Sequence, residues 1–239
     1  MNNFWKIVLA VLTLTSYKTI PFAYLFKFYY AYTRYVTSKR WKYLKIGGKN
    51  TFDITIEKKG PLAVFEPNVY SSYVSPLEYD MFLHKSNSTY FADMDFARMK
   101  LLCQNMQKGF FTYMFNEYND FKKASVFNYP FVPVARVECT FKKELKLFEK
   151  FDVVSRVGAW DDKWLYVISK FVKTSDNRTV AIGVTRYVFK LGRITIPPKE
   201  FIKRSELLTS EAEAANEKYL EKFKHFASTD DFEQLCDSF

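Results

Sequence analysis

Cysteine and histidine are scarce in this 239-residue sequence, which holds three of the first (Cys103, Cys139, Cys236) and two of the second (His84, His225). Cysteines that are odd in number and widely spaced make neither a disulfide framework nor a zinc site. Two histidines exclude a His-rich metal centre. Glycine is sparse too, with seven residues, and neither a Gly-rich phosphate loop nor a G-x-S-x-G nucleophile elbow occurs. No metal and no cofactor is therefore expected. Acid is missing from one whole region: nine basic residues (Lys6, Lys18, Lys27, Arg34, Lys39, Arg40, Lys42, Lys45, Lys49) precede Asp53 without a single Asp or Glu. The remainder holds 27 basic and 26 acidic residues, about +1, so the net charge of +10 belongs to the N-terminal arm. A nearly neutral domain gives nucleic acid no basic face to bind.

What is present is apolar and aromatic, 48% and 19% of the chain. That suffices for one cored domain with additions. The opening residues, MNNFWKIVLAVLTLTSYKTIPFAYLFKFYYAYTRY, contain an apolar run from Ile7 to Leu14, shorter than the roughly 20 residues of a straight membrane span. Counting from Phe4 to Phe26 reaches that length but encloses Lys18 and Pro21. Thirteen aromatics between Phe4 and Tyr43, mixed with Lys and Arg, suit the headgroup region of a bilayer. Residues 1–45 are thus expected to hold membrane lipids, spanning or lying on the bilayer. A signal peptide would need a small-residue cleavage site, which is absent. A mitochondrial presequence would be richer in Arg and Ser, and a buried core helix is the remaining alternative. The excess of basic residues after the apolar run places the following domain on the cytosolic side. Two sequons occur, Asn87-Ser-Thr and Asn177-Arg-Thr.

Beyond the arm the order is strand, helix, strands. AVFEPNVYSSYVSPL reads as one or two strands punctuated by Pro67 and Pro76. The spacing predicts a helix over 89–107 with Tyr90, Met94, Ala97 and Leu101 on one stripe and further apolar bulk elsewhere, hence an enclosed helix. Four strand-like runs follow, beginning VPVARVECTF, FDVVSRVGAW, KWLYVISKFV and RTVAIGVTRY, with turns at Asp161-Asp162 and at SDNR. Pro197-Pro198 ends them. Ser210 and Glu213 suggest a capping box opening a tail helix with Leu220, Phe223 and Phe226 on its apolar face. The predicted class is α+β: one long helix wrapped by a curved antiparallel sheet, with an N-terminal arm and a C-terminal helix. The expected divisions are 1–45, 46–198 and 199–239. Cys236-Asp-Ser-Phe has the place, but not the apolar middle, of a prenylation box.

The segment ahead of the long helix concentrates chemistry: Glu78-Tyr-Asp80, then His84-Lys-Ser86-Asn87-Ser-Thr-Tyr90, then Asp93-Met-Asp95-Phe96-Ala97-Arg98. Together with CTFKKELKLFEKFDV and WDDKWLYVISKFV, these residues resemble hot-dog-fold acyl-CoA thioesterases of the 4-hydroxybenzoyl-CoA thioesterase superfamily. More narrowly they are similar to the membrane-anchored thioesterase superfamily member six family. The likeness runs over roughly 73–188. Three positions depart from the pattern: Glu78 for a first Asp, Leu83 where Gly is common, and Ser86 for Asn.

The resemblance implies a hot-dog homodimer acting on acyl-CoA or another acyl thioester, anchored to the endoplasmic reticulum or, alternatively, a mitochondrial membrane. It implies catalytic roles for Asp80, His84 and Asn87, with Asp80 at the carboxylate position, and substrate contacts from Tyr90, Phe91, Asp93 and Met94. Thioester hydrolysis needs a base or nucleophile and donors aimed at the developing oxyanion, and the first N–H groups of the 89–107 helix would serve as donors. The competing reading is a non-catalytic acyl-binding or scaffold protein, in which Asp80 is a turn acid, His84 a hydrogen-bonded structural residue and Asn87 or Ser88 a helix cap. Asp93, Asp95 and Arg98 then make surface ion pairs.

Overall fold

The structure is a computed structural model in which residues 2–51 and 60–223 are described. His225, Phe226 and Cys236 lie outside them. Helix α1 (Asn3–Thr15) buries no residue and is followed, after a turn, by α2 (Ala23–Tyr35) and α3 (Arg40–Lys45). Strand β1 (Asn68–Tyr73) precedes the long helix α4 (Thr89–Asn105) and its continuation α5 (Gln107–Met114). Then come β2 (Val134–Phe141), β3 (Lys150–Trp160), β4 (Leu165–Lys173) and β5 (Thr179–Tyr187). A small hairpin of β6 (Phe189–Leu191) and β7 (Ile194–Ile196) leads to α6 (Pro198–Arg204) and α7 (Ser210–Leu220).

Five strands form one antiparallel sheet in the order β1-β3-β4-β5-β2. Three register shifts, at 134/136, 157/159 and 171/172, interrupt the ladders; such bulges bend strands and increase twist. Helix α4 lies against one face, and the stripe of Tyr90, Met94, Ala97 and Leu101 is buried as its spacing predicts. Gly183 of β5 leaves room for Met94, whose Sδ occupies the space a Cβ there would need. A long helix wrapped by an antiparallel sheet is the hot-dog arrangement that the resemblance implies.

Three local readings change. The helix expected over 89–107 ends at Asn105, since Met106, with φ −114° and ψ 27°, leaves the α region, and a second helix, α5, follows where none was expected. The fourth strand-like run resolves into β5 and the β6–β7 hairpin, with Gly192 at φ 60° in its turn. The tail helix is capped one residue early, by Thr209 Oγ1 accepting the Ala212 N–H at 3.0 Å.

The opposite face of the sheet is covered by the C-terminal residues. Phe223 stacks on Tyr166 and rests on Gly158, where a Cβ would sit 2.6 Å from its ring. Asn216 of α7 accepts the Trp160 N–H at 2.8 Å and donates to the Trp160 carbonyl at 2.9 Å.

The arm divides in two. The apolar count from Phe4 to Phe26 is interrupted at 16–22, where Phe22 takes a left-handed φ of 65°, and no helix among the described residues is long and apolar enough to cross a membrane. From Ser16 onward the arm is packed against the domain. Lys27 Nζ lies 4.3 Å from the centre of the Phe96 ring on α4. The Tyr24 hydroxyl donates to Asp95 at 2.9 Å, and buried Tyr43 donates to Glu117 at 2.8 Å while packing on Phe111.

Candidate active site at the start of the central helix

The loop joining β1 to α4 is a miniature hairpin. Pro76 fixes the first position of a short helical turn, where Glu78 reaches back to accept the Ser75 N–H at 2.8 Å. Tyr79 then bridges Lys85, and the Ser86 N–H donates to the Glu78 carbonyl at 2.7 Å. At the tip Asp80 accepts the Phe82 N–H at 2.9 Å, the side-chain turn that Asp favours. Leu83 closes the tip at φ 61°, the left-handed conformation that glycine adopts freely and leucine adopts at a cost. A glycine at this position would take the same conformation without that cost.

Asp80 and His84 come together beside this tip, the carboxylate 3.5 Å from His84 Nδ1, and Phe82 stacks on the imidazole. His84 lines a cavity of about 620 Å³ with Asn87 and Tyr90, next to the first turn of α4. Asp80 does not line it. Neither the N–H of Asn87 nor that of Ser88 meets an acceptor among the described residues, and Ser88 at the cap position makes no side-chain cap. A helix opened this way offers donors and positive potential to an anion. Tyr90 forms the inner wall beneath Phe141 and Phe171. Burial pushes its hydroxyl above the ordinary value, so it stays protonated. Lys142, Lys143 and Lys146 contribute positive charge to the cavity's outer wall beside Glu144, while Glu149 there is tied to Lys173 and Asp176 to Arg178.

The remaining predicted site residues lie elsewhere. Phe91 is exposed on another side of α4, and Met94 is core under the sheet. Asp93 is 3% exposed and belongs to a charge cluster that spacing does not announce. Lys85 Nζ sits 2.9 Å from Glu78 Oε1 and 2.8 Å from Asp93 Oδ2. On the other side Lys18, from the arm, is 2.7 Å from Glu78 Oε2 and 3.7 Å from Asp93 Oδ1. All four side chains are buried, alternating in sign and capped by the rings of Tyr73, Tyr90 and Phe151. The expected ion pairing along the helix surface holds for Asp95 and Arg98, at 3.2 Å, but not for Asp93.

Lys18, Glu78 and Lys85 were therefore not legible as site neighbours. Glu78 stands out in the sequence only as a departure from Asp, and Lys18 only as a charge within an apolar stretch. The cluster separates the cavity at His84 from a second one of about 370 Å³, enclosed by α4's first turn and the arm and lined by Lys18, Lys27, Glu78, Thr89, Asp93 and Phe96. Among the described residues no three of His, Cys, Asp and Glu converge as metal ligands would.

Residues 74–204 match the family model described as the thioesterase-like superfamily. A probable thioesterase of Saccharomyces cerevisiae is 38% identical over 194 residues, covering 81% of this chain and 76% of that protein. A thioesterase of Purpureocillium lilacinum is 36% identical, covering 59% of this chain and 49% of its own length. Among solved structures, the DHNA-CoA thioesterase of Staphylococcus aureus aligns over 64% of this chain and 94% of its own, with 15% identity and a TM-score of 0.47.

Proposed function

Since this chain belongs to the thioesterase-like superfamily, we propose that it hydrolyses an acyl thioester in the cavity at the start of α4. One observation carries the reading: His84, beside the Asp80 carboxylate, lines the same cavity as Asn87, whose N–H meets no acceptor among the described residues at the open end of α4. In this reading the Lys85 carbonyl, 3.3 Å away, and the Asp80 carboxylate, 3.5 Å away, hold Nδ1, so the other ring nitrogen takes a proton from water as it attacks the thioester carbonyl. The N–H groups at the helix start hold the oxyanion. Collapse breaks the carbon–sulfur bond, and the thiolate leaves with the proton that His84 accepted. Asp80 is then a positioning residue acting through His84. The basic outer wall suits a phosphorylated thiol carrier such as coenzyme A.

The exposed run Met81-Phe82-Leu83 at the loop tip supports a second copy covering the site, as a homodimer. Helix α1 supports membrane attachment. Its 13 residues reach about 20 Å at ~1.5 Å each, short of a bilayer core of roughly 30 Å, and expose Phe4, Trp5, Ile7, Leu9, Val11 and Leu14. Such a helix lies in the interface plane, with the domain on the cytosolic side.

The test measures thiol release by the full-length protein from butyryl-, decanoyl- and palmitoyl-CoA. Turnover is expected, and His84→Gln lowers kcat by about a hundredfold or more with KM little changed. Binding of these thioesters without thiol release would replace the hydrolase by the acyl-binding scaffold. Deletion of residues 2–15 abolishes cosedimentation with phosphatidylcholine–phosphatidylserine vesicles; persistent binding would remove α1 from the account.

A further inference from the structure

Lys18 is the one member of the buried charge cluster that comes from the arm. Glu78 belongs to the loop that carries His84, and Asp93 lies one turn into α4; Lys85 follows His84 directly. With both lysines the cluster holds two positive and two negative charges, each ammonium within 4 Å of each carboxylate. Without Lys18 one ammonium would serve two carboxylates that are 3–4% exposed, an unbalanced charge in a low-dielectric setting. Lys18 also donates to Ser72 Oγ at 3.0 Å, and Thr19 Oγ1 lies 2.8 Å from Ser75 Oγ, so this stretch grips β1 and the loop's first turn together. Ahead of it the Thr15 carbonyl accepts the Tyr73 hydroxyl at 2.6 Å.

We propose that Lys18 is a positioning residue for the candidate site. Its charge locks the 75–90 loop onto the first turn of α4, so that His84 and the Asn87 N–H keep a fixed relation across the cavity. The arm is thereby part of the site and not a detachable tether. The proposal deepens the hydrolase reading, but its test does not require turnover.

The experiment is hydrogen exchange on the full-length protein, comparing wild type, Lys18→Met, Asp93→Asn and the double variant. The loop's protected amides report the lock: Lys85 N–H donates to Leu145, Ser86 to Glu78 and Thr89 to Ser86. In Lys18→Met these exchange about tenfold faster or more, as a local opening allows, while β3 and β4 amides keep their protection. Adding Asp93→Asn restores charge balance and leaves Lys85 bridging to Glu78, so the double variant recovers protection; this coupling is what a double-mutant cycle isolates. Unchanged exchange in Lys18→Met, a uniform loss that includes the sheet, or no recovery in the double variant overturns the proposal. Should Lys18→Met not fold, the balanced double variant still folds with its loop protected, and its failure to do so overturns the proposal equally.

Where wild type releases thiol from decanoyl-CoA, kcat of Lys18→Met falls about tenfold to a hundredfold with KM within about twofold, and Lys122→Met, at an exposed position between α5 and β2, changes neither. A wild type without turnover ends the hydrolase reading and leaves the exchange result to judge Lys18.

Discussion

Glu78 and Asp80 are separated by one residue and occupy opposite surroundings. Glu78 is sealed between two lysines and holds the loop's base to the helix and the arm. Asp80 stands at the solvent-facing tip, where it shapes a turn and approaches His84. The base spends its charges on rigidity, and the tip keeps its own available for chemistry. A loop can carry function when its foundation is fixed by contacts that the reacting groups do not share.

The strongest way to break this comparison is Lys85→Met. It leaves Glu78 and Asp93 buried with Lys18 alone, a loss of about 3–5 kcal/mol for removing one partner of a buried pair. For a chain of this length that is a fall in Tm of about 10 °C, read by differential scanning calorimetry; a shift under about 3 °C would mean that water reaches the cluster. His84→Gln sharpens the same contrast from the tip. It changes Tm by no more than about 2 °C, since substitutions away from buried networks stay within roughly 0.5 kcal/mol, while thiol release falls. The smallest expected effect is that of Leu83→Gly. Relief of a left-handed leucine, about 1 kcal/mol, is nearly offset by glycine's greater chain entropy in the unfolded state. Tm then rises by at most about 2 °C with activity retained; a clear drop would show that the exposed leucine is covered by another surface.

The fold was largely legible because its signals are periodic. The stripe from Tyr90 to Leu101 and the first three strand-like runs each match an element, and the fourth run begins with one. Breaks were less so, since nothing in the composition around Met106 marks the change of backbone there, and a hairpin as short as β6–β7 leaves little room for alternation. At the site, Tyr90 and Asn87 could be placed from their position at a helix start, and His84 from its neighbours in the motif. The cluster of Lys18, Glu78, Lys85 and Asp93 could not, because its members are drawn together across up to 75 residues of sequence by tertiary packing alone. Lys18 illustrates the difficulty: in an apolar stretch a lysine reads as one that reaches for water, yet here it turns inward to meet two acids.

The clamp that Asn216 makes on Trp160 bears on how this molecule can polymerise or pair. Strand β3 continues past its last partner on β1, Ser155, to Trp160, and such a flank of unpaired backbone groups invites another chain to add a strand. The Asn216 amide occupies that opening as a short imitation strand. On β1 itself Lys100 Nζ donates to the Val69 carbonyl at 2.6 Å, and a strand of six residues gives an intruder little to grip. A chain cut short before residue 199 would lose the Asn216 clamp, bare that margin of β3 and aggregate more readily than the whole.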